Sequence, residues 1–98
     1  LRVADLELDI ESRIVTRGAQ VIDLLPREFA ILHYLVKNKG RIITKNMILE
    51  NIWNINFNPE SSIVETHISR LRAKIDKPFQ EPLIHTKRNI GYSIYESR

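Results

Sequence analysis

Cysteine is absent from the 98 residues, so the chain has neither a disulfide frame nor a thiolate metal site. That fits a reducing compartment. Glycine is scarce, with three residues, and no Gly-rich phosphate loop is present. The three histidines, His33, His67 and His85, do not stand at metal-ligand spacing, and neither an HExxH pattern nor a nucleophile elbow occurs. No catalytic constellation emerges, so the expectation is a non-enzyme without a metal or other cofactor. Long apolar runs are also missing. The longest, Phe29 to Val36, is broken by His33 and is far too short to cross a bilayer. Nothing resembles a signal peptide. The chain opens on Leu1, which reads as an excised domain or mature fragment with segments upstream.

What is present fits one globular domain, 1–98, with apolar content of 43% and charged content of 28%. The net charge of +3 is unevenly spread. Residues 1–24 hold three Arg against five Asp/Glu, whereas residues 25–98 hold twelve Lys/Arg against seven Asp/Glu. A basic majority behind an acidic start suggests one side that faces a polyanion. Charge alone weighs this no more heavily than ordinary solubility.

The most informative stretch runs from Ser62 to Ile75. Val64, Ile68, Leu71 and Ile75 recur at helical spacing and define an inward face. Ser62 followed by Glu65 reads as a capping box at the helix start. The opposite face carries Ser62, Ile63, Thr66, Ser69, Arg70 and Ala73, flanked by His67, Arg72 and Lys74. Small and hydroxylic side chains with cations beside them suit close approach to bases and phosphates. The working hypothesis is a recognition helix over 62–75.

Taken in order, Leu6, Leu8 and Ile10 alternate with Asp5, Glu7 and Asp9 as a strand with one wet face. Ile14 to Thr16 reads as a second strand, Arg17-Gly18 as a turn, and Val21-Ile22 as a further strand of an antiparallel meander. Pro26 suits the first position of a helix whose apolar stripe is Phe29, Ile31, Leu32, Leu35 and Val36. Asn38-Lys39-Gly40 reads as its C-terminal cap. Ile42-Ile43 is extended, and Thr44 caps a second helix over 45–53 with Ile48, Leu49 and Ile52 inward. Asn54 to Glu60 is a loop. Leu83 to Thr86 and Tyr92 to Tyr95 are strands of a hairpin, with Lys87 and Arg88 at its tip and Gly91 where a positive φ is expected.

Each candidate has a plainer reading. Lys87 and Arg88 either reach DNA or keep a hairpin tip soluble. Trp53 either donates its indole N–H to a phosphate or anchors the core. His67 either donates to a phosphate or base or fills the helix flank. Ile63 either touches a thymine methyl or packs on the preceding loop.

Together these residues resemble the OmpR/PhoB-type winged-helix effector domain of two-component response regulators. The resemblance is carried by Leu25-Pro26-Arg27-Glu28-Phe29, Gly40-Arg41-Ile42-Ile43, Ile52-Trp53 and Asn58-Pro59. It is carried above all by Val64 to Ile75 and by Ile84-His85-Thr86-Lys87-Arg88-Asn89-Ile90-Gly91-Tyr92. It implies an α+β winged helix-turn-helix: a four-stranded antiparallel sheet in 1–24, a three-helix core in 26–75 and a hairpin wing in 83–95. It further implies sequence-specific binding of duplex DNA and transcription regulation, with helix 62–75 in the major groove and wing 87–91 at the minor groove.

The DNA-binding set is then His67, Ser69, Arg70 and Arg72 on the helix, with Thr66 on the same face. Arg88 would enter the minor groove beside Lys87, and Thr86, Tyr92 and Trp53 would hold phosphates. Asn54, Asn56, Asn58 and Glu60 fall in the loop that the family turns toward RNA polymerase. The family also implies a covalently linked receiver domain, phosphorelay control, a cytoplasmic bacterial setting and head-to-tail dimers on direct repeats, the isolated domain being monomeric. Two positions depart from the pattern. Asn89 replaces the first wing glycine, which Asn tolerates because it visits the left-handed region. Leu25 replaces the usual Ser or Thr cap, a loss of about 1 kcal/mol. The rival reading is a winged-helix protein-interaction module that turns the same helix or the Asn54–Glu60 loop to a partner; it predicts little salt-sensitive DNA affinity and an exposed apolar patch, for which Ile63 is the only clear candidate on that helix.

Overall fold

In the computed structural model, which describes residues 1–54 and 62–96, two antiparallel sheets flank a helical core. Asn56, Asn58 and Glu60 lie outside the described residues. The first sheet has the order β1 (Arg2–Val3), β2 (Leu6–Asp9), β3 (Ile14–Arg17) and β4 (Gln20–Ile22). Leu6 and Leu8 turn inward while Glu7 and Asp9 face water, as the alternation requires. The β1 strand has too few residues to leave a periodic trace, and only the family resemblance anticipates it. Ile10 does not continue β2 and is exposed.

Helix α1 (Pro26–Lys37) buries the expected stripe, Phe29, Ile31, Leu32, Leu35 and Val36. Leu25 makes no side-chain cap bond, but its backbone N–H donates to Glu28 Oε1 at 2.8 Å. Half of the reciprocal capping arrangement therefore survives without a hydroxyl. At the other end Asn38 caps the helix, and Gly40 at φ +85° donates its N–H to Ile94 O.

Strand β5 (Ile43–Thr44) leads into α2 (Lys45–Ile48), where Thr44 Oγ1 accepts from the Met47 N–H at 3.1 Å. The expected helix over 45–53 is not uniform. From Leu49 to Trp53 it widens into a π-type turn that stops at Asn54, whose backbone is left-handed at φ 58°. Ile48 and Leu49 are buried and Ile52 is half-buried, so the inward face holds.

Helix α3 (Ile63–Ile75) buries Val64, Ile68, Leu71 and Ile75 as the spacing predicts. Its capping box does not form. Ser62 sits at φ −92°, ψ 44°, away from the extended geometry of a cap, and its side chain makes no cap bond. Glu65 goes instead to the Lys45 ammonium, Oε2 to Nζ 2.8 Å.

The last strands, β6 (Ile84–Lys87) and β7 (Gly91–Ile94), form the wing and pair with β5 in the order β5-β7-β6. Gly91 does not supply the positive φ expected of it; Asn89 does, at φ 64°. Gly91 is needed because a Cβ there would lie 2.1 Å from the Ile43 carbonyl oxygen across the β5–β7 pairing.

One polar cluster fixes the sheets and helices to one another. Arg17 is not in a turn but ends β3, 2% exposed. Its guanidinium donates to Asp5 Oδ1 (3.0 Å), Ile75 O (2.5 Å), Asp76 Oδ1 (3.2 Å) and Glu81 O (2.6 Å), and lies over the Phe79 ring. Asp76, also buried, accepts from the Leu83 and Ile84 N–H groups. A buried cation persists only when paired and hydrogen-bonded, and here each requirement is met.

Candidate nucleic-acid interface

The α3 face opposite the core exposes Thr66, Ser69, Arg70 and Ala73. Burying Val64, Ile68, Leu71 and Ile75 forces this, because the two residue sets lie on opposite sides of one helix. Among the described residues the side chains of Thr66, Ser69 and Arg70 form no hydrogen bond or ion pair. They are free for an external partner. Arg88 stands exposed at the wing tip in the same condition. Ile63 is half-buried and packs against the core, which takes it off the outward face.

The flanking residues are already engaged. Arg72 Nη2 donates to Ile84 O at 3.2 Å and to Thr86 Oγ1 at 2.6 Å, with its guanidinium 5.7 Å from the Tyr92 ring. Arg72, Thr86 and Tyr92 thus form one contact between α3 and the wing. Lys87, the last residue of β6, donates to the Tyr95 hydroxyl at 2.9 Å and lies over its ring. Lys74 is committed to Glu28, Nζ to Oε1 2.6 Å. The Trp53 ring receives Arg27 at 4.8 Å and meets His67 at 5.0 Å, edge to face.

Between the start of α2, the first turn of α3 and the wing lies an open cleft of about 390 Å³, lined in part by Lys45, Glu65, Thr86, Lys87, Asn89 and Tyr92. The Lys45 ammonium holds the Glu65 carboxyl below the usual range against the opposing effect of burial. Burial, followed by the Glu65 charge, pushes the Tyr92 hydroxyl up and keeps it neutral. Tyr92 is therefore a neutral hydrogen-bonding group between the Lys45–Glu65 pair and the Arg72 guanidinium, with Lys87 on the same cleft. That setting can receive an anion such as phosphate.

Sequence reasoning places His67, Ser69, Arg70, Arg72 and Thr66 on one helix, and Thr86, Lys87, Arg88 and Tyr92 on the wing. The fold brings the two groups together through the Arg72 contact. Trp53 joins them through His67. Asn54 ends the π-type turn, exposed. Three participants have no signal that periodicity would reveal. Glu28 reads as a helix-dipole residue yet is 1% exposed under Lys74. Arg17 reads as a turn residue, and nothing in the periodicity marks Asp76. Among the described residues no group of three or more His, Cys, Asp or Glu is placed to hold a metal, and no helix is long and apolar enough to cross a membrane.

Residues 19–94 match the family described as "Transcriptional regulatory protein, C terminal". The transcriptional activator protein IrlR of Burkholderia pseudomallei is 44% identical over 92 residues, 94% of this chain and 40% of that protein. The transcriptional regulatory protein TrcR of Mycobacterium tuberculosis is 47% identical over 94 residues, 96% of this chain and 36% of that one. The chain thus spans about two-fifths of the length of these curated relatives. Among solved structures, the Klebsiella pneumoniae RstA DNA-binding domain in complex with the RstA box superposes with a TM-score of 0.87. It is 29% identical and covers 97% of this chain and 95% of that one. The response regulator DrrB of Thermotoga maritima, an OmpR/PhoB homologue, gives a TM-score of 0.82 at 31% identity, over 97% of this chain and 43% of that one.

Proposed function

Because the chain belongs to the family of transcriptional regulatory protein C-terminal domains, in its OmpR/PhoB-type winged-helix form, we propose that it binds duplex DNA sequence-specifically and regulates transcription. The observation that carries this reading is the free set Thr66, Ser69 and Arg70 on α3, joined through Arg72 to a wing that ends in exposed Arg88. Base readout is assigned to the α3 face, and Arg88 to the minor groove beside it. Phosphates are assigned to Thr86, Tyr92, Lys87 and Trp53. These contacts supply most of the affinity and make it fall with salt.

The chain acts as the output half of a cytoplasmic response regulator, covalently joined to a receiver domain. It pairs head-to-tail on direct repeats and meets RNA polymerase through the segment from Asn54 onward. The half-buried Ile63 weighs against the form of the protein-interaction alternative that uses this helix, for which it is the apolar candidate. Selection of the chain against a random duplex pool at near-physiological salt tests the proposal. Recovery of a short motif in tandem about one helical turn apart supports both readout and arrangement. A flat pool with only salt-sensitive retention would leave backbone binding alone.

A further inference from the structure

His67 Nδ1 lies 2.8 Å from the carbonyl oxygen of Ile63, one turn earlier on α3. A carbonyl oxygen can only accept, so the proton of this bond sits on Nδ1. In the neutral ring Nε2 is then an acceptor and has no proton to give. Among the described residues Nε2 has no partner, and it is not one of the buried unsatisfied side-chain atoms. The side chain is half-buried, so Nε2 is not sealed in the core. The ring itself is held by the Trp53 edge-to-face contact at 5.0 Å.

We propose, resting on the DNA-binding reading above, that His67 is a phosphate ligand that engages only as the imidazolium, so that this chain takes up a proton when it binds duplex DNA. A phosphate oxygen cannot donate to a neutral Nε2, and two lone pairs facing each other repel. Protonation converts that repulsion into a charge-assisted hydrogen bond. Among the described residues the charged groups on the elements around the ring are Arg27, which lies over the Trp53 ring that His67 meets, and Glu28, which interacts with His67 electrostatically and pairs in place with Lys74 of α3. A phosphate at Nε2 favours the charged form of the ring.

The test uses the 98-residue chain and a duplex recovered by it from a random pool at pH 7. Affinity is followed at fixed salt between about pH 5.5 and 8, where histidine titrates. The unaltered chain is expected to tighten as pH falls, by up to about tenfold per pH unit. His67→Gln, whose amide donates at any pH, and His67→Phe, which keeps a ring against Trp53, both lose that slope, with the Phe variant weaker throughout. Calorimetry of the unaltered chain in two buffers of different ionisation heat then shows proton uptake, whatever the variants do. Tight binding with a flat profile and no proton uptake overturns the proposal and leaves DNA binding standing. Affinity that weakens in acid also overturns it, since a neutral Nε2 would then be accepting from a base amine. Failure to bind any duplex removes both readings.

Discussion

The guanidinium of Arg17 and the carboxylate of Asp76 meet 3.2 Å apart with both side chains buried, although 59 positions separate them in the chain. Through this pair the end of β3, the end of α3 and the entry to the wing are held in one place. Arg17→Met fills much of the same space but leaves the buried Asp76 charge with only its two backbone N–H donors and no counter-ion, and takes the Arg17 donor from the Ile75 and Glu81 carbonyls. Breaking a buried pair in this way costs about 3–5 kcal/mol. Denaturant unfolding should show a midpoint lowered accordingly, and a loss under about 1 kcal/mol would mean that Arg17 contributes only packing.

Glu28 gives the fold an acid-sensitive bond. Burial pushes its carboxyl up, but the Lys74 ammonium and the Leu25 N–H more than compensate, and the net displacement is downward from 4.5. A depressed carboxyl contributes stability that is complete above its unfolded value and lost as pH falls through its folded one. Stability of the unaltered chain should therefore drop below about pH 4.5. Glu28→Gln should be less stable at neutral pH and lose less on acidification. Urea midpoints across that range decide it, and parallel curves would remove Glu28 from the acid transition.

Arg70 and Arg72 should separate in function despite their proximity. Arg70→Ala should cost about 1–3 kcal/mol of binding and relax preference at the positions it reads. Arg72→Ala should leave those preferences in place but loosen the wing, so that discrimination for A·T-rich flanks weakens as it does in Arg88→Ala. Repeating the random-pool selection with each variant distinguishes the two roles. A relaxed core motif in Arg72→Ala would make Arg72 a base reader.

Gly91→Ala forces a Cβ into the Ile43 carbonyl, a backbone atom that cannot swing aside. Separating β5 from β7 to make room should cost about 1–3 kcal/mol. Thermal unfolding checks this, and a melting temperature within a degree or so of the unaltered chain would show that the strands part freely.

Much of the architecture is visible in the residues because its cause is periodic. The α3 stripe Val64, Ile68, Leu71 and Ile75 and the β2 alternation repeat often enough to announce a buried face. Features decided by one distant partner do not repeat. Ser62 and Glu65 satisfy the capping pattern, yet Lys45, twenty positions earlier, takes the carboxylate. Arg17 looks like a turn residue until Asp76 and Glu81 fold over it. At the wing the turn chemistry is correctly anticipated for Asn89, whose backbone is left-handed. The role of Gly91 is set by how closely β5 approaches, and the local sequence says nothing of that. The outward residues of α3 are legible because they are what the buried face leaves over. Their engagement, as in Arg72 with Thr86, requires the wing to be folded back beside the helix.

The π-type turn at Leu49–Trp53 gives segment length a role of its own. Such a turn holds one residue more in each hydrogen-bonded loop than an α-turn does. Deleting one residue from Leu49 to Ile52 would let the stretch rewind as an ordinary helix, with its hydrogen bonding intact and its composition nearly unchanged. Trp53 would then be carried round the axis, away from Arg27 and His67. The aim of the indole is stored in a count of residues, so an alignment gap here would change the interface even where every contacting side chain is retained.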